Sequence, residues 1–220
     1  MYKIVSIEGN IGSGKTTLFN RLKKHFKNND GIIFLREPID DWNHFTDQEG
    51  NTMIQKFYND QKSYAFSFQI MAFVSRLSIL KEAIDKNKNI IIITERSLYT
   101  DKYVFAKMLH DQNKIEDINY KIYLNMFDQF SNEYSLSDII YVKTNPSICL
   151  ERIRKRAREG EENIIYDYLN ECDKYHDDFI TSKMNFPYSV HLIDGNLDIY
   201  DNPNIMDLWI TNIEKILKVS

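Results

Sequence analysis

The sequence predicts an α/β fold in which a five-stranded parallel sheet is flanked by helices. Short apolar runs rich in β-branched residues alternate with longer segments of helical spacing, an order typical of parallel sheets covered on both faces. The chain has 220 residues, 43% of them hydrophobic, which is enough for the core of one domain spanning residues 1–220. The runs predicted to be strands are Lys3–Ile7, Ile32–Arg36, Asn89–Thr94, Asp138–Lys143 and Ser189–Ile193.

The composition argues against several other kinds of protein. A net charge of −4 disfavours general binding of nucleic acids by a basic surface. The two cysteines, Cys149 and Cys172, have neither metal nor redox spacing, which favours a reducing compartment. The first predicted strand begins at Lys3, so we expect no signal peptide, and no apolar run approaches the roughly 20 residues of a membrane span. We therefore expect a soluble, cytoplasmic protein that binds neither nucleic acid nor membrane.

The strongest motif is a glycine-rich loop, residues 9–16, between the first predicted strand and a helix. It fits the pattern Gly-x-x-x-x-Gly-Lys-Thr and consists of Gly9, Asn10, Ile11, Gly12, Ser13, Gly14, Lys15 and Thr16, followed by Thr17. Such glycines let successive N–H groups converge on one anion, and the helix N-terminus adds partial positive charge. We expect Lys15 to reach the β- and γ-phosphates of a nucleoside triphosphate and Thr16 to ligate Mg²⁺. The flanking strand and helix disfavour a chance glycine-rich turn.

Charged side chains follow two further predicted strands. Glu37-Pro38 ends the second strand, with Trp42 close behind, and Glu95-Arg96 follows the third. Active residues of parallel sheets gather at the carboxyl ends of strands, so these groups are candidates for binding a ligand. The alternative for Glu95 and Arg96 is a surface ion pair with no function.

The segment Ser63–Lys86 is predicted to be a long helix that is apolar nearly all round and therefore buried on several sides. Gln69, Ala72 and Arg76 lie on one face of this helix because they are spaced at i, i+3 and i+7. An amide, the small side chain of Ala72 and a guanidinium along one face of the helix indicate the wall of a pocket for a polar ligand. The alternative is that they are polar core residues satisfied within the fold.

A short basic segment, at about residues 152–162, follows the fourth predicted strand and includes Arg152, Arg156 and Arg158. Such a cluster usually marks a solvated helix face or a nucleic-acid patch. In a chain with a phosphate loop, a third reading is favoured. The segment would close over the phosphates as a lid, with its arginines neutralising charge during transfer.

Taken together, the motifs resemble the deoxyribonucleoside kinase family, P-loop kinases that include deoxycytidine and deoxyguanosine kinases. The resemblance spans essentially the whole chain. The motifs that carry it are Glu8-Gly9-Asn10-Ile11, Glu37-Pro38 with Trp42, Phe66-Ser67-Phe68-Gln69, Glu95-Arg96-Ser97 and Arg156-Ala157-Arg158.

The resemblance implies ATP or another nucleoside triphosphate as phosphate donor, Mg²⁺ as cofactor and a deoxynucleoside as acceptor. Glu37 would be the general base on the 5′-hydroxyl, helped by Arg96, and Glu95 would help to hold Mg²⁺ through water. Gln69 would read the edge of the base, since an amide offers a donor and an acceptor. The remaining implied ligands are Trp42, Phe68 and Phe105 around the base, Tyr58 and Glu161 on the sugar 3′-hydroxyl, and the arginines of the lid. Glu162 is the fallback for the sugar contact, because the lid spacing departs from that of relatives.

Substrate choice depends on Arg76 and Asp101, which occur where relatives preferring deoxycytidine and purines carry an Arg–Asp pair. Such a pair would crowd a thymine methyl group, and Ala72 leaves room for a larger base. We therefore expect deoxycytidine and purine deoxynucleosides to be favoured over thymidine. The alternative is that the pair only braces the helix, with a thymidine-preferring or broad-specificity enzyme as the result. Like its relatives, the chain is expected to form a homodimer through the Ser63–Lys86 helix and its neighbour.

Three other functions are less well supported. A kinase of nucleoside monophosphates would need cations for the acceptor phosphate, which the carboxylate of Glu37 would repel. A catalytically idle structural homologue could lose Lys15, Glu37 or Arg96, yet all three are present. A nucleic-acid-binding module is disfavoured because the basic residues cluster on one short segment of an acidic chain.

Overall fold

The structure, a computed structural model, describes residues 2–131, 133–181, 188–199 and 202–218. Its centre is a five-stranded sheet with the order β2-β3-β1-β4-β5, in which every neighbouring pair is parallel. The strands are β1 (Tyr2–Glu8), β2 (Ile32–Leu35), β3 (Ile90–Glu95), β4 (Asp138–Lys143) and β5 (Ser189–Asp194). The predicted α/β fold is therefore confirmed, and each predicted strand is found within two residues of its predicted ends.

Helices connect successive strands and cover both faces of the sheet. They are α1 (Lys15–His25), α2 (Ile39–Trp42), α3 (Met53–Asn59), α4 (Gln61–Lys86), α5 (Leu98–Thr100), α6 (Lys107–Asp111), α7 (Asp117–Phe130), α8 (Pro146–Arg156), α9 (Tyr166–Thr181) and α10 (Pro203–Leu217). A π-helical turn, Asp101–Ala106, joins α5 to α6. Such turns are rare and often lie at functional sites.

Side chains alternate between two cores along the strands. On β1, Ile4 packs into the layer with Phe73 of α4, whereas Val5 packs on the opposite side with Leu18 of α1. Ile92 and Ile93 of β3 divide between the two cores in the same way. Because both faces of the central strand β3 are covered, apolar residues follow one another along it, which explains the continuous isoleucine run in the sequence.

Helix α4 runs through the core beside the sheet. It begins at Gln61, two residues before the predicted start at Ser63, because the side chain of Asp60 accepts a hydrogen bond from the Ser63 N–H at 3.1 Å and caps the first turn. By length and composition, α4 is apolar enough to cross a membrane. One such helix is weak evidence for a span, and Gln69 and Arg76 are buried within the protein on this helix.

Candidate active site

The phosphate loop follows β1 and leads into α1, as predicted. Gly9, Gly12 and Gly14 have φ angles of 144°, 78° and 102°, values that side chains rarely allow. A Cβ on Gly9 would lie 2.5 Å from the carbonyl oxygen of Val142, and one on Gly12 would lie 2.5 Å from that of Cys149. The loop conformation and its close packing on β4 and α8 therefore both require glycine.

Lys15 is buried at the start of α1, and its Nζ donates a hydrogen bond to the carbonyl of Asn10 at 2.6 Å. Burial lowers the pKa of Lys15 to about 7; Arg96 lowers it further, and Glu37 and Glu95 oppose this effect. A bound anion would raise the pKa of Lys15 again and favour its charged form, since its negative charge would compensate the buried ammonium group.

Thr16 and Glu95 contact each other across the sheet edge, where the Thr16 hydroxyl donates to Glu95 Oε1. This pairs the hydroxyl and carboxylate that the sequence predicted for Mg²⁺. Over the described ranges, no group of three or more His, Cys, Asp or Glu side chains could hold a metal by itself. Mg²⁺ in phosphotransferases commonly takes only one or two protein ligands and completes its shell with water and phosphate oxygens, so this pair fits such an ion.

Glu37 lies at the mouth of the sheet between two guanidinium groups. Its Oε1 is 3.1 Å from Arg76 Nη2 and 3.3 Å from Arg96 Nε, and its side chain is only 14% exposed. Burial raises the pKa of Glu37, but Arg96 and Arg76 more than offset this and hold the pKa below its usual value. The carboxylate is therefore ionised at neutral pH.

Arg76 joins three acidic or carbonyl groups from its buried place on α4. Its Nε and Nη2 donate to Asp101 at 2.9 and 3.3 Å, and its Nη1 donates to the carbonyl of Glu95 at 3.0 Å. With the bond to Glu37, these contacts use four of the five guanidinium N–H groups. Asp101, the first residue of the π-helical turn, meets Arg76 in a bidentate pair.

Aromatic side chains wall one side of the site. Trp42 and Phe68 meet edge to face with ring centroids 5.6 Å apart, and Trp42 Nε1 donates to Ser75 Oγ at 2.9 Å. Phe57, which the sequence interpretation missed, stacks on Phe68 at 4.5 Å. Gln69 is buried beside these rings, and its Oε1 has no hydrogen-bond partner among the described residues.

These groups line one cleft of about 610 Å³. The predicted site residues that line it are Ile11, Gly12, Ser13, Gly14, Lys15, Thr16, Thr17, Glu37, Trp42, Tyr58, Phe68, Gln69, Ala72, Arg76, Glu95, Arg96, Asp101, Phe105, Arg152, Arg156, Arg158 and Glu161. Gly9 and Asn10 also belong to the loop but do not line the cleft. Asn10 instead donates from Nδ2 to the carbonyl of Leu169 at 2.8 Å, which ties the loop to α9.

The basic segment begins on α8 and continues past its end at Arg156. Arg152 Nη1 donates to the carbonyl of Ser13 in the phosphate loop at 3.2 Å. Arg156 and Arg158 both bond Glu161, at 2.5 and 3.1 Å. Glu161 is 7% exposed and lines the cleft, whereas Glu162 is exposed to solvent. Between the two candidate acids, the geometry therefore favours Glu161.

Two further polar groups support the site and were not predicted. Glu8 is fully buried, and its two carboxylate oxygens accept hydrogen bonds of 2.5 Å from Ser6 and Thr100. His176 on α9 lies 3.3 Å from Arg96. The Glu8-Gly9 motif gave a weak signal for the first group, but no local pattern connects His176 to a residue 80 positions earlier.

The fold and the cleft define a P-loop kinase: a phosphate loop at the edge of a parallel sheet shares one cleft with the largely buried carboxylate of Glu37 and the guanidinium groups of Arg76 and Arg96. The family profile described as deoxynucleoside kinase matches residues 5–218. The probable deoxycytidine kinase of fowlpox virus (strain NVSL) is 36% identical over 96% of this chain and 87% of its own length. Deoxycytidine kinase 2 of Gallus gallus is 32% identical over 81% and 74%.

A third relative is named for a different nucleoside, deoxyguanosine. The mitochondrial deoxyguanosine kinase of Xenopus laevis is 30% identical over 82% of this chain and 74% of its own length. The chain belongs to the deoxynucleoside kinase family, whose members are phosphotransferases. The resemblance seen in the sequence is thereby confirmed.

Proposed function

We propose that this protein transfers the γ-phosphoryl group of ATP to the 5′-hydroxyl of deoxyribonucleosides, with deoxycytidine and purine deoxynucleosides favoured over thymidine. One observation carries the proposal. The ionised carboxylate of Glu37 is held between Arg76 and Arg96 in the same cleft as Lys15 and Thr16 of the phosphate loop. Phosphoryl transfer needs this combination of a positioned base and concentrated positive charge.

Glu37 would accept the proton of the 5′-hydroxyl as the oxygen attacks phosphorus, so the leaving diphosphate group would not need to take it. Arg96 would orient both Glu37 and the 5′ end of the acceptor. Lys15, the loop N–H groups and the arginines at 152, 156 and 158 would neutralise charge on the transferring phosphoryl group. In this proposal each step uses a side chain that lines the cleft.

Thr16 and Glu95 are the residues that would hold Mg²⁺, Glu95 through water. When bound, the ion would neutralise charge between the β- and γ-phosphates. The neighbouring hydroxyl and carboxylate support this assignment, because hard oxygen ligands are the ones that Mg²⁺ prefers.

The preference for the base is proposed from the contacts of Arg76 and Asp101. Asp101 retains acceptor lone pairs beyond its bidentate pair with Arg76, and these would accept an N–H from an exocyclic amino group. Thymine has a carbonyl oxygen and a methyl group instead, so the same carboxylate would repel it. Gln69, with a buried and unpaired Oε1, would read the base edge between Trp42 and Phe68.

The sugar and the lid would be linked through Glu161. Its carboxylate bonds Arg156 and Arg158 and faces the same cleft as Tyr58, so we propose that both would contact the 3′-hydroxyl. The acceptor would then help to set the position of the lid arginines. Glu162 would not contact the sugar, since it faces solvent.

We also propose that the protein is a cytoplasmic, single-domain homodimer that binds neither nucleic acid nor membrane. Val74 of α4 is 46% exposed and Ile118 and Ile122 of α7 are 64% and 45% exposed, an apolar surface that a second copy would cover. Light scattering at micromolar concentration should give twice the chain mass of 26.2 kDa. A monomer mass under those conditions would refute the dimer.

A direct assay tests the proposed reaction. The purified protein is incubated with ATP, Mg²⁺ and each of the four deoxynucleosides in turn, and 5′-monophosphate is measured by chromatography. We expect product from deoxycytidine, deoxyadenosine or deoxyguanosine at a higher kcat/KM than from thymidine. Deoxycytidine monophosphate is tested as a fifth acceptor. Phosphorylation of this monophosphate but of none of the four deoxynucleosides would refute the proposal, and so would the absence of product with every acceptor. A higher kcat/KM for thymidine would refute only the base preference.

A further inference from the structure

We infer that His176 is a positioning residue for the reaction: its neutral imidazole accepts a hydrogen bond from Arg96 and fixes the guanidinium that holds Glu37. The inference rests on the proposed function. It concerns a side chain outside the phosphate loop, the lid and the base pocket, and no local pattern in the sequence indicates it.

The hydrogen bonds of His176 determine which nitrogen carries the proton. Nδ1 lies 2.6 Å from the carbonyl oxygen of Cys172, one turn earlier on α9. A carbonyl can only accept, so Nδ1 must be the donor. Nε2 lies 3.3 Å from Arg96 Nη1, and a guanidinium can only donate, so Nε2 must present its lone pair. The two contacts together select one neutral tautomer.

The surroundings of the ring also favour the neutral form. His176 is fully buried and stacks on Tyr141, with Phe105 edge-on at 5.9 Å. Burial, reinforced by the charge of Arg96, holds the pKa of His176 well below its usual value. A protonated ring would direct a second N–H at the guanidinium and would lose the bond that the neutral ring makes.

The guanidinium of Arg96 is fixed by groups from four parts of the fold. Nη1 donates to the carbonyl of Gly9 at 3.0 Å and to His176, Nε faces Glu37, and Cζ lies 4.9 Å from the ring centroid of Phe105. The backbone of Arg96 has a φ of 65°, an uncommon value for a residue with a side chain. His176 supplies the acceptor that holds Nη1 from the α9 side, and thereby directs Nε toward Glu37.

A set of variants tests this inference by kinetics. His176→Leu removes both ring nitrogens, and we expect kcat to fall about tenfold while the KM for ATP changes less than twofold. His176→Gln can present an amide oxygen near the position of Nε2, and we expect it to recover most of the lost kcat. His191→Gln, at a histidine that pairs with Asp138 on β4, is the matched control and should keep the wild-type kcat. Thermal unfolding and circular dichroism establish that each variant is folded.

The decisive measurement combines His176→Leu with Arg96→Leu, using labelled nucleoside to follow slow turnover. If His176 acts through Arg96, adding His176→Leu to the Arg96→Leu variant lowers kcat by less than a further factor of two. Full tenfold additivity, or equal losses in His176→Leu and His176→Gln, would overturn the inference and leave a packing role. If His176→Leu is not folded, His176→Phe, which also lacks both ring nitrogens but keeps an aromatic ring against Tyr141, is compared in the same two backgrounds. Failure of the proposed function would be seen separately, as absence of nucleoside phosphorylation by the wild-type protein.

Discussion

Glu37→Gln provides the sharpest test of the chemistry proposed for this cleft. The change removes the proton-accepting charge but keeps the size of the side chain. The amide oxygen of glutamine can still accept from Arg76 or Arg96, which lie 3.1 and 3.3 Å from Oε1, so the local structure should survive. We therefore expect a loss of base catalysis rather than a loss of folding.

The magnitude follows from what the carboxylate does. A positioned general base contributes about 100- to 10,000-fold to a rate, and we expect kcat at saturating nucleoside to fall within this range. This corresponds to roughly 3–5 kcal/mol of transition-state free energy. Within the described part of the chain, Glu37 makes no hydrogen bond to the phosphate loop. The Kd for ATP should therefore stay within about threefold of the wild-type value.

The assay measures initial rates of monophosphate formation at saturating ATP and nucleoside, and calorimetry measures ATP binding. Asp40→Asn is the matched control, because Asp40 lies three residues away and its side chain is 86% exposed. A kcat for Glu37→Gln within threefold of the control would refute the assignment of Glu37 as base. A large loss of ATP affinity would show instead that the carboxylate supports the donor half of the site.

Three other predictions follow from the same geometry. Arg76→Met combined with Asp101→Ala should raise the ratio of kcat/KM for thymidine to kcat/KM for deoxycytidine about tenfold or more. Both kcat/KM values should fall, because Arg76 also holds Glu37, the proposed general base. An unchanged ratio would show that the pair has only a structural role. Gly9→Ala should lower the free energy of unfolding in urea by about 1–3 kcal/mol more than Gly50→Ala, since both have positive φ but only Gly9 has a carbonyl 2.5 Å from the added Cβ; equal losses would contradict the clash. His176 has a folded-state pKa below its unfolded value, so the unfolded chain binds the extra proton as pH falls through about 6.5. Below that pH, the free energy of unfolding of the wild-type protein should therefore fall relative to that of His176→Gln by up to about 1.4 kcal/mol per pH unit. Parallel urea titrations of the two proteins at pH 7.5 and 5.5 measure this difference, and an equal change in both proteins would contradict the prediction.

The sequence predicted the strands and the phosphate loop well because their signals are local. A run of isoleucines needs no partner to be recognised as a buried strand, and glycine spacing alone indicates an anion-binding loop. The sequence also carries local start signals for two helices: Asp60 caps α4, and Thr52 and Gln55 form a capping box on α3.

What the sequence could not predict depends on contacts between distant segments. The π-helical turn at Asp101–Ala106 inserts its extra residue through tertiary packing, and no composition rule locates it. Both Asp101, which meets Arg76, and Phe105, whose ring lies against Arg96, belong to this turn. The stacking of Phe57 on Phe68 likewise depends on how α3 packs against α4, which periodicity does not specify.

Arg96 connects the phosphate loop with Glu37 inside the cleft. Its Nη1 bonds the carbonyl of Gly9, at the start of the phosphate loop, and its Nε faces Glu37, which would activate the acceptor. Gly9 must remain glycine for the loop to approach β4 closely, so the position of that carbonyl is fixed by backbone packing and not by a flexible side chain. In the proposed reaction, Arg96 and Arg76 together would hold the carboxylate, and the buried guanidinium of Arg96 would keep it in a fixed orientation relative to the phosphate loop.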